Sequence, residues 1–551
     1  MGAASSALPG HVGRALPWSR PLTLPGALLA VPAVTVGALY VREAAPSVGG
    51  GNTGEFQVMA HQLGIAHPPS YPLFLLLGKV VSLVPLGGDV AWRINLANAL
   101  LGAAALLLLS RLPAALGVVG AGASAAALAG AVAAVVLGAA PRLWTLSVEA
   151  EVFTLHLFLV LAFWLALLQR RTYLAAFLAG LGLANHRTFL FIAGAGALHQ
   201  LLLGRVAVPR PRTLLFALAL FALGLTPYLY VLRGLVMPVA YFSPLDVHRL
   251  SRGEVWYVLQ GNASGETAGG RVVLDLLANR DLLADRIRWL LGHLSTQLSL
   301  IPGARLPLLA AAVAGLFVAL RRAPRFVATA LLGALGAALF AMAYAKYPDA
   351  DRYLLPLEAL LALGLGTLAA SLAAALASLL PGAGLAARVA GAAAGLALAV
   401  SPAFSLGVLS AQSDLTRGGY VHHTIHNLEG VERGAVVCTW WSSAWGLWYA
   451  QRVDGVRPDV TVIPKGPDDC VRDVLPQEFG RRAVYLPALT DAARRSEFVF
   501  FPSRDLWLAV ARGAPLGPGS LAKGPDDRIY LVDGGRRRWV PSLEVFAAHG
   551  F

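Results

Sequence analysis

Long apolar segments alternate along this chain with short segments rich in arginine. A helix needs about 20 residues to cross a bilayer. Runs of that order are 22–41, 94–110, 117–140, 152–169, 213–233, 305–320, 326–345, 354–379 and 389–409. The apolar region 173–203 is interrupted by Asn185, His186 and Arg187, which predicts two short helices with these residues at their turn. The pattern predicts an α-helical polytopic membrane protein with about eleven transmembrane helices, the first of them uncleaved.

The apolar segment 72–86 is short and bounded by Pro72 and Pro85. The distribution of positive charge decides how it is placed, because cytoplasmic loops of membrane proteins are enriched in Lys and Arg. If 72–86 is a juxtamembrane or re-entrant segment and the N-terminus is cytoplasmic, the cytoplasmic segments hold many arginines and no acid. These are Arg14, Arg20, Arg111, Arg170, Arg171, Arg205, Arg210, Arg212, Arg321, Arg322, Arg325 and Arg388. This topology predicts a first external loop at 42–93 and a large external loop at 234–304, after a cytoplasmic N-terminus at 1–21.

Composition supports the membrane class, since only 13% of the 551 residues are charged and 57% are hydrophobic, whereas soluble domains carry about 25% charged residues. The net charge of +14 lies mostly in short loops, where it suits topology and anionic headgroups rather than nucleic acid. Two cysteines, Cys438 and Cys470, exclude a disulfide-framework protein. Whether they pair is left open.

Composition changes after residue 409, where charged and β-branched residues return. We expect an extracytoplasmic mixed α/β domain at 410–515, with strands at Val436–Thr439 and Val460–Ile463. Five aromatic residues there favour a core, with a membrane interface or sugar stacking as alternatives; they are Trp440, Trp441, Trp445, Trp448 and Tyr449. Residues 516–551 resemble a short β-rich repeat of bacterial surface proteins, with a hairpin turn at Asp533 to Gly535.

Polar residues concentrate in four places that the predicted topology puts on the outer side. The candidate site residues are Asn52, Glu55, His61, His67, Glu149, Glu151, His186, Arg187, Asp351 and Arg352. Ionisable groups at membrane depth are costly and usually functional. A carboxylate such as Glu55 can accept a proton from an attacking hydroxyl, and the guanidinium groups can bind phosphate.

Each of these groups also has a structural interpretation. Glu55 can cap a helix, Glu149 or Glu151 can favour the dipole of the helix that follows, and Arg352 can pair with a neighbouring Asp. A divalent metal is possible, but no spacing approaches a metal-site pattern.

Several motifs resemble a bacterial membrane family that is related to the eukaryotic protein O-mannosyltransferase of plexin-type (IPT-domain) receptors. The first is G-E-F-Q-V-M-A-H-Q-L-G-I-A-H-P-P-S-Y-P-L-F, which begins at Gly54. Others are W-R-I-N-L at Trp92, E-A-E-V-F at Glu149, G-L-G-L-A-N-H-R at Gly180 and L-W-Y-A-Q-R-V-D-G-V-R-P-D-V at Leu447.

The resemblance implies a GT-C-like fold and an inverting glycosyltransferase that uses a polyprenyl-phosphate sugar donor, with Glu55 as catalytic base. The family usually has Asp at the position of Asn52, and an amide cannot accept the proton. We therefore expect a multi-pass protein of the bacterial inner membrane that moves a mannose-like sugar to a protein or glycan on the outer face. The alternatives are a transporter or flippase, which would hold its polar groups near the bilayer midplane, and a non-catalytic membrane scaffold.

Overall fold

The computed structural model describes residues 24–117, 123–200, 211–242, 245–260, 270–344, 349–379, 384–412, 427–511, 521–523, 528–533 and 536–540. The chain forms two compact units. The first is Met1–Val421 with Arg452–Asp454, and the second is His422–Gln451 with Gly455–Phe551.

The first unit is built almost entirely from helices. They are α1 (Leu24–Arg42), α2 (Gly51–Gln62), α3 (Pro72–Ser82), α4 (Val90–Leu116), α5 (Ala123–Gly138), α6 (Pro141–Val148), α7 (Val152–Leu168), α8 (Thr172–Asn185), α9 (Phe189–Leu198), α10 (Pro211–Gly224), α11 (Leu229–Leu232), α12 (Arg252–Gln260), α13 (Gly270–Ala278), α14 (Arg280–Leu298), α15 (Pro302–Arg322), α16 (Pro324–Tyr344), α17 (Leu355–Leu379) and α18 (Gly384–Gln412). A hairpin of β1 (Val239–Phe242) and β2 (Leu245–His248) follows α11.

Among the described residues, five helices are long and apolar enough to cross a membrane, and a sixth span results if α5 and α6, bent by 71°, are counted together. Six shorter apolar helical segments accompany them: Ala30–Arg42, Pro72–Ser82, Val152–Leu168, Thr172–Asn185, Phe189–Leu198 and Ala397–Ser410. The chain is therefore a helical multi-pass membrane protein, as the apolar runs predicted. The number of eleven spans stays a prediction.

Small residues allow the membrane helices to approach closely. A Cβ atom on Gly315 of α15 would lie 1.8 Å from the carbonyl oxygen of Gly364 in α17. Gly180 of α8 and Gly224 of α10 meet in the same way, with a Cβ on Gly180 only 2.8 Å from the Gly224 Cα. Larger side chains at these positions would push the helices apart.

The segment predicted as the first external loop, 42–93, differs from that prediction in detail. It contains the helices α2 and α3, and α4 begins at Val90 because the Asp89 carboxylate accepts the Trp92 N–H at 2.6 Å and caps the helix. The apolar segment 72–86 is the short helix α3. At the other end of the unit, α18 continues to Gln412, three residues beyond the predicted boundary at 409.

The predicted large external loop 234–304 holds helices, and also the unpredicted β1–β2 hairpin. This hairpin packs on the turn after α2, where Ala240 O accepts the Ile65 N–H at 2.7 Å. The Arg233 Nη2 donates to Leu63 O at 2.6 Å, and the Tyr230 hydroxyl donates to Gly64 O. The large loop thereby supports the turn that leads from His61 to His67.

The second unit contains a five-stranded sheet of order β4-β3-β5-β7-β6, in which β4, β3 and β5 run parallel. Its strands are β3 (Val436–Cys438), β4 (Thr461–Ile463), β5 (Val484–Leu486), β6 (Phe498–Ser503) and β7 (Leu506–Ala511). The two strands predicted near 436 and 460 are confirmed. Cys438 at the end of β3 is bonded to Cys470, so the pairing left open by the sequence is formed.

The aromatic patch of this unit is largely buried, and its assignment to the core stays a prediction. Trp445, Trp448 and Tyr449 on the helix α19 (Trp441–Arg452) are buried, whereas Trp440 is 47% exposed. Near the C-terminus, β8 (Leu521–Lys523), β9 (Ile529–Asp533) and β10 (Arg536–Val540) form an antiparallel sheet. The predicted pairing on either side of the Asp533 turn is confirmed, and the turn residues Gly534 and Gly535 lie outside the described residues.

Candidate active site

Glu55 and His67 form an enclosed pair at the centre of the first motif. Glu55 lies on α2 and its side chain is completely buried. Its Oε1 accepts the backbone N–H of His67 at 2.6 Å, and its Oε2 lies 2.7 Å from the His67 Nδ1. Burial by itself would lower the pKa of His67, but the charge and hydrogen bond of Glu55 outweigh it and raise that pKa. His67 therefore stays protonated to a higher pH than an ordinary histidine, and while protonated it forms an ion pair with Glu55.

Tyr71 connects this pair to the helices behind it. The His67 Nε2 lies 3.1 Å from the Tyr71 hydroxyl, and the Tyr71 ring stacks on His186 with 5.6 Å between centroids. Tyr71 (φ 48°) and Ser70 (φ 70°) both adopt the left-handed region, which is uncommon for residues other than glycine. Such strain persists only where the surroundings require it and is concentrated at functional sites.

The connector between α6 and α7 carries the second pair of acids and is fixed by asparagines of α4. Asn98 Nδ2 donates to Leu146 O at 2.6 Å and also to Glu149 O, while its Oδ1 accepts the Thr154 hydroxyl. Asn95 Oδ1 accepts the Ala150 N–H at 2.9 Å. Buried amides on an apolar helix thus determine where Glu149 and Glu151 lie.

The two acids have different surroundings. Glu149 is half-buried, and its Oε2 accepts the Thr53 hydroxyl at 3.3 Å. Its Oε1 has no hydrogen bond to any of the described residues. Glu151 is buried, and its Oε1 binds Arg352 Nη1 at 2.9 Å. Burial raises the pKa of both carboxyls, opposed for Glu149 by Thr53 and then Arg352, and for Glu151 by Arg352.

The turn between α8 and α9 is where the sequence predicted it, and it holds a neutral histidine next to a cation. Burial lowers the pKa of His186 well below its usual range, helped by the nearby His156 and Arg187. Because the His186 Nδ1 accepts the Thr188 N–H at 3.2 Å, the ring proton lies on Nε2. Arg187 is half-buried, and the described residues offer its guanidinium no carboxylate within 4 Å.

Most of the predicted residues are therefore brought together. His67 lies close enough to Glu151 and Asp349 to feel their charges, and Phe153 contacts both His186 and Tyr353. The aromatic rings of this cluster contact one another, and its ionisable groups are three acids, two histidines and two arginines. The members are Glu55, His67, Tyr71, Glu149, Glu151, Phe153, His186, Arg187, Arg352 and Tyr353.

Two predicted residues lie elsewhere. His61 is at the last turn of α2, and its neighbouring charges are Lys79 and Arg93, which together with burial lower its pKa. Asp351 points away from its neighbour Arg352 and binds Arg142 of α6, with Nε at 2.9 Å, and His293 of α14, with Nδ1 at 3.5 Å. Asn52 lies on the first turn of α2, one helical turn before Glu55, and is half-buried.

Sequence reasoning missed Tyr71, Asn95 and Asn98 as parts of the site. Tyr71 is within the first motif, but its left-handed backbone gives no local signal. Asn95 and Asn98 did give one, since two amides three residues apart on an apolar helix face the same side and need partners. Among the described residues, no group of three or more His, Cys, Asp or Glu is arranged to hold a metal ion.

The fold defines the class of protein first. It resembles the crystal structure of ArnT from Cupriavidus metallidurans bound to undecaprenyl phosphate, with a TM-score of 0.50 and 13% identity over 89% of this chain and 99% of that one. At this identity the likeness concerns the fold alone, and it supports the predicted GT-C-like membrane architecture.

Residues 52–203 match the family model of the protein O-mannosyl-transferase TMEM260 N-terminal domain. The relationship predicted from the motifs is therefore confirmed over the segment that carries Glu55, Glu149 and Arg187. The chain is 36% identical over 213 residues to protein O-mannosyl-transferase TMEM260 of Mus musculus, and 30% identical over 216 residues to that of Dictyostelium discoideum. These alignments cover 36% and 35% of this chain, but only 29% and 25% of those relatives.

Proposed function

We propose that this protein is an inverting glycosyltransferase of the membrane, which moves a mannose-like sugar from a polyprenyl-phosphate donor to a hydroxyl group of a protein or glycan. The observation that carries the proposal is the cluster itself. Acids that can accept a proton lie beside Arg187, which has no carboxylate within 4 Å among the residues that the structure describes, at the ends of membrane helices. Glycosyl transfer from a lipid phosphate needs these groups, because one proton must be accepted and one phosphate must leave.

In the proposed step, the acceptor oxygen attacks C1 of the sugar while the bond from C1 to the phosphate oxygen breaks. The phosphate keeps the electron pair, and a carboxylate takes the proton of the acceptor hydroxyl. Arg187 binds the leaving phosphate, because its planar guanidinium matches two phosphate oxygens. No atom or charge is left over, and the products are the glycosylated acceptor and the polyprenyl phosphate.

Two carboxylates compete for the role of base. Glu55, assigned from sequence, is completely buried and has both oxygens bound to His67, so His67 would have to move before a hydroxyl could reach it. Glu149 is half-buried, and within the described part of the chain one of its oxygens has no hydrogen bond. Burial raises its pKa, which makes its carboxylate a stronger base than an ordinary glutamate. The geometry favours Glu149 as the group that meets the acceptor and Glu55 as the carboxylate that keeps His67 charged.

The names of the comparison proteins support the two substrates. The two relatives are called protein O-mannosyl-transferases, and ArnT was crystallised with undecaprenyl phosphate. We infer from the arginine distribution that the site faces the outside of the inner membrane. The position of the cluster at helix ends favours an enzyme over a transporter, whose polar groups would lie near the midplane.

Purified protein incubated with radiolabelled polyprenyl-phosphate mannose and a serine- or threonine-rich peptide tests the proposal. We expect label to pass to the peptide and polyprenyl phosphate to be released in equal amount. Polyprenyl-phosphate glucose in a parallel incubation tests the sugar. An enzymatic role would be contradicted if no lipid-phosphate sugar gave either product. A thermal unfolding transition would show that the protein in this incubation is folded.

A further inference from the structure

An apolar groove lies between α7, α8, α9 and α10, directly below the turn that carries Arg187. Its volume is about 400 Å³, within the usual size of ligand pockets. Small side chains of α8 and α9 open it, among them Ala175, Ala179, Ala193 and Ala197. Apolar side chains from α7 and α10 complete its walls, so nothing along most of its length could bind a polar ligand.

The groove follows the helix axis toward the active site. It extends along α8 from Thr172 to Leu183, which is about 17 Å at a rise of 1.5 Å per residue. At the Leu183 end, the Tyr228 hydroxyl donates to Leu183 O at 3.2 Å. Leu190, which lines the same end, donates its N–H to Arg187 O at 2.9 Å. Arg187 therefore lies within one helical turn of the groove, at its outer end.

Charge distinguishes this groove from an ordinary lipid-facing depression. Arg187 is half-buried and has no carboxylate within 4 Å among the described residues, and Tyr228 and Tyr71 lie near enough to influence its charge electrostatically. A half-buried guanidinium that is not neutralised by a neighbouring carboxylate can bind a phosphate. Tyr71 also contacts His67 and His186, so a phosphate at Arg187 lies next to the candidate active site.

We propose that the groove between α8, α9 and α10 binds the isoprenoid chain of the polyprenyl-phosphate donor, with its phosphate at Arg187. This inference rests on the proposed function and assigns the place of its lipid substrate. The chain enters from the bilayer side, and the small residues leave room for its methyl branches. The first isoprene units lie at Leu183 and Leu190, and the sugar extends from the phosphate toward Glu149.

A side chain can be added at one position of the groove without a clash with the protein. Gly194 of α9 lines it and is exposed, and an added Cβ atom there meets no atom within 4 Å. Gly194→Leu places a branched side chain in the groove, and leucine has a higher helix propensity than glycine. Gly407 of α18 is a matched control, because it is also an exposed glycine in an apolar helix whose Cβ would meet nothing within 4 Å.

The test measures binding of undecaprenyl phosphate, without sugar, to the full-length protein in nanodiscs. We expect Gly194→Leu to raise the Kd about tenfold and to leave the Kd of a two-isoprene phosphate unchanged, because the short chain occupies only the outer end. Gly407→Leu should bind both as the unchanged protein does. Ala197→Phe on the same wall should reproduce the effect of Gly194→Leu.

Equal affinity for undecaprenyl phosphate in Gly194→Leu, Ala197→Phe and the unchanged protein would overturn the proposal. Equal competition by phosphatidylglycerol would overturn it too, because the groove would then be a general lipid site. The proposed function can fail separately from the lipid site. If the protein binds undecaprenyl phosphate and shows the expected effect of Gly194→Leu but transfers no sugar, the lipid site is supported and the proposed activity is contradicted. Protein that binds no undecaprenyl phosphate at all contradicts both.

Discussion

At the scale of single residues, the structure gives different surroundings to Glu55, which the sequence assigned as the base, and to Glu149. Glu55 is bonded through both oxygens to His67, whereas one oxygen of Glu149 has no hydrogen bond to the residues that the structure describes. Replacing either by Gln keeps its shape and removes proton acceptance. We expect Glu149→Gln to lower kcat by about 10²–10⁴-fold, the usual cost of losing a general base, with little change in donor affinity.

Glu55→Gln is the comparison. If Glu55 only keeps His67 protonated, Glu55→Gln should lose less activity than Glu149→Gln. The pH dependence of kcat should also differ between the two variants. A Glu149→Gln variant with normal turnover, together with an inactive Glu55→Gln variant, would return the base to Glu55 as predicted from sequence. Asn52→Asp, which introduces the acid that the resemblance implies at this position, should keep or increase the rate.

The pH dependence of stability reports on the Glu55–His67 pair. The fold raises the pKa of His67 above its ordinary 6.5, so the folded state favours the protonated ring. This contribution is complete below about pH 6.5 and is lost as pH rises through the folded-state pKa. We expect the Tm to fall over that range more steeply in the unchanged protein than in His67→Gln. The difference between the two is the signal, since His248 also has a raised pKa; identical slopes would contradict a charged His67.

The sequence predicts that Arg187 and Arg352 both bind the donor phosphate, but their substitution should have different effects. Arg187→Ala should weaken binding of polyprenyl phosphate, and Arg187→Lys should restore it only in part because the bidentate fork is lost. Arg352 is already bound to Glu151. Arg352→Ala should therefore lower the stability, since breaking a buried pair typically costs about 3–5 kcal/mol. Donor affinity and Tm, measured for each variant, separate the two roles, and an Arg187→Ala variant with normal affinity assigns that residue to structure.

At the scale of elements, the connector between α6 and α7 owes its position to α4. Asn98 binds Leu146 O, Glu149 O and the Thr154 hydroxyl. We expect Asn98→Leu, which removes these bonds at similar volume, to lower kcat while the affinity for polyprenyl phosphate stays within about twofold. A parallel loss of affinity would show that the whole bundle, rather than the connector, depends on Asn98.

The short turn that follows α16 contributes neighbouring residues to two different ion-pair clusters. In the turn Ala350–Leu354, Arg352 reaches Glu151, and its neighbour Asp351 reaches Arg142 and His293. His293 also binds Glu358 of α17 with its Nε2, at 2.9 Å. The α14 helix of the large loop is thus attached to the same turn that positions Arg352, which links the loop to the site.

At the scale of the whole molecule, the direction of insertion decides whether the site faces the donor. The twelve arginines of the predicted cytoplasmic segments predict that direction, because cytoplasmic loops are enriched in Lys and Arg. Reporter fusions after Arg171 and Arg322 should be cytoplasmic, and a fusion after Gly64 should be external. A cytoplasmic Gly64 would place Glu55 and Glu149 on the wrong side for an extracytoplasmic acceptor.

The sequence by itself determined the class of the protein and the position of its polar clusters. Lipid tolerates ionised groups poorly, so apolar runs mark the membrane helices and any charge that interrupts them is conspicuous. The turn at Asn185 to Arg187 follows from this rule, and the structure confirms it. The first motif was specific enough to indicate a similarity to protein O-mannosyl-transferases, and residues 52–203 match the model of the TMEM260 N-terminal domain.

Only the tertiary structure decided which of these groups meet. Glu151 and Arg352 are 201 positions apart, and Arg142 and Asp351 are 209 apart. Their pairing depends on how α6, α7 and α17 pack, which no local pattern specifies. The same reason applies to Glu55: its carboxylate is in the expected motif, but its burial follows from the turn at His67 and from the packing around α2. Sequence periodicity places a side chain on its helix, whereas contacts between helices determine what that side chain can do.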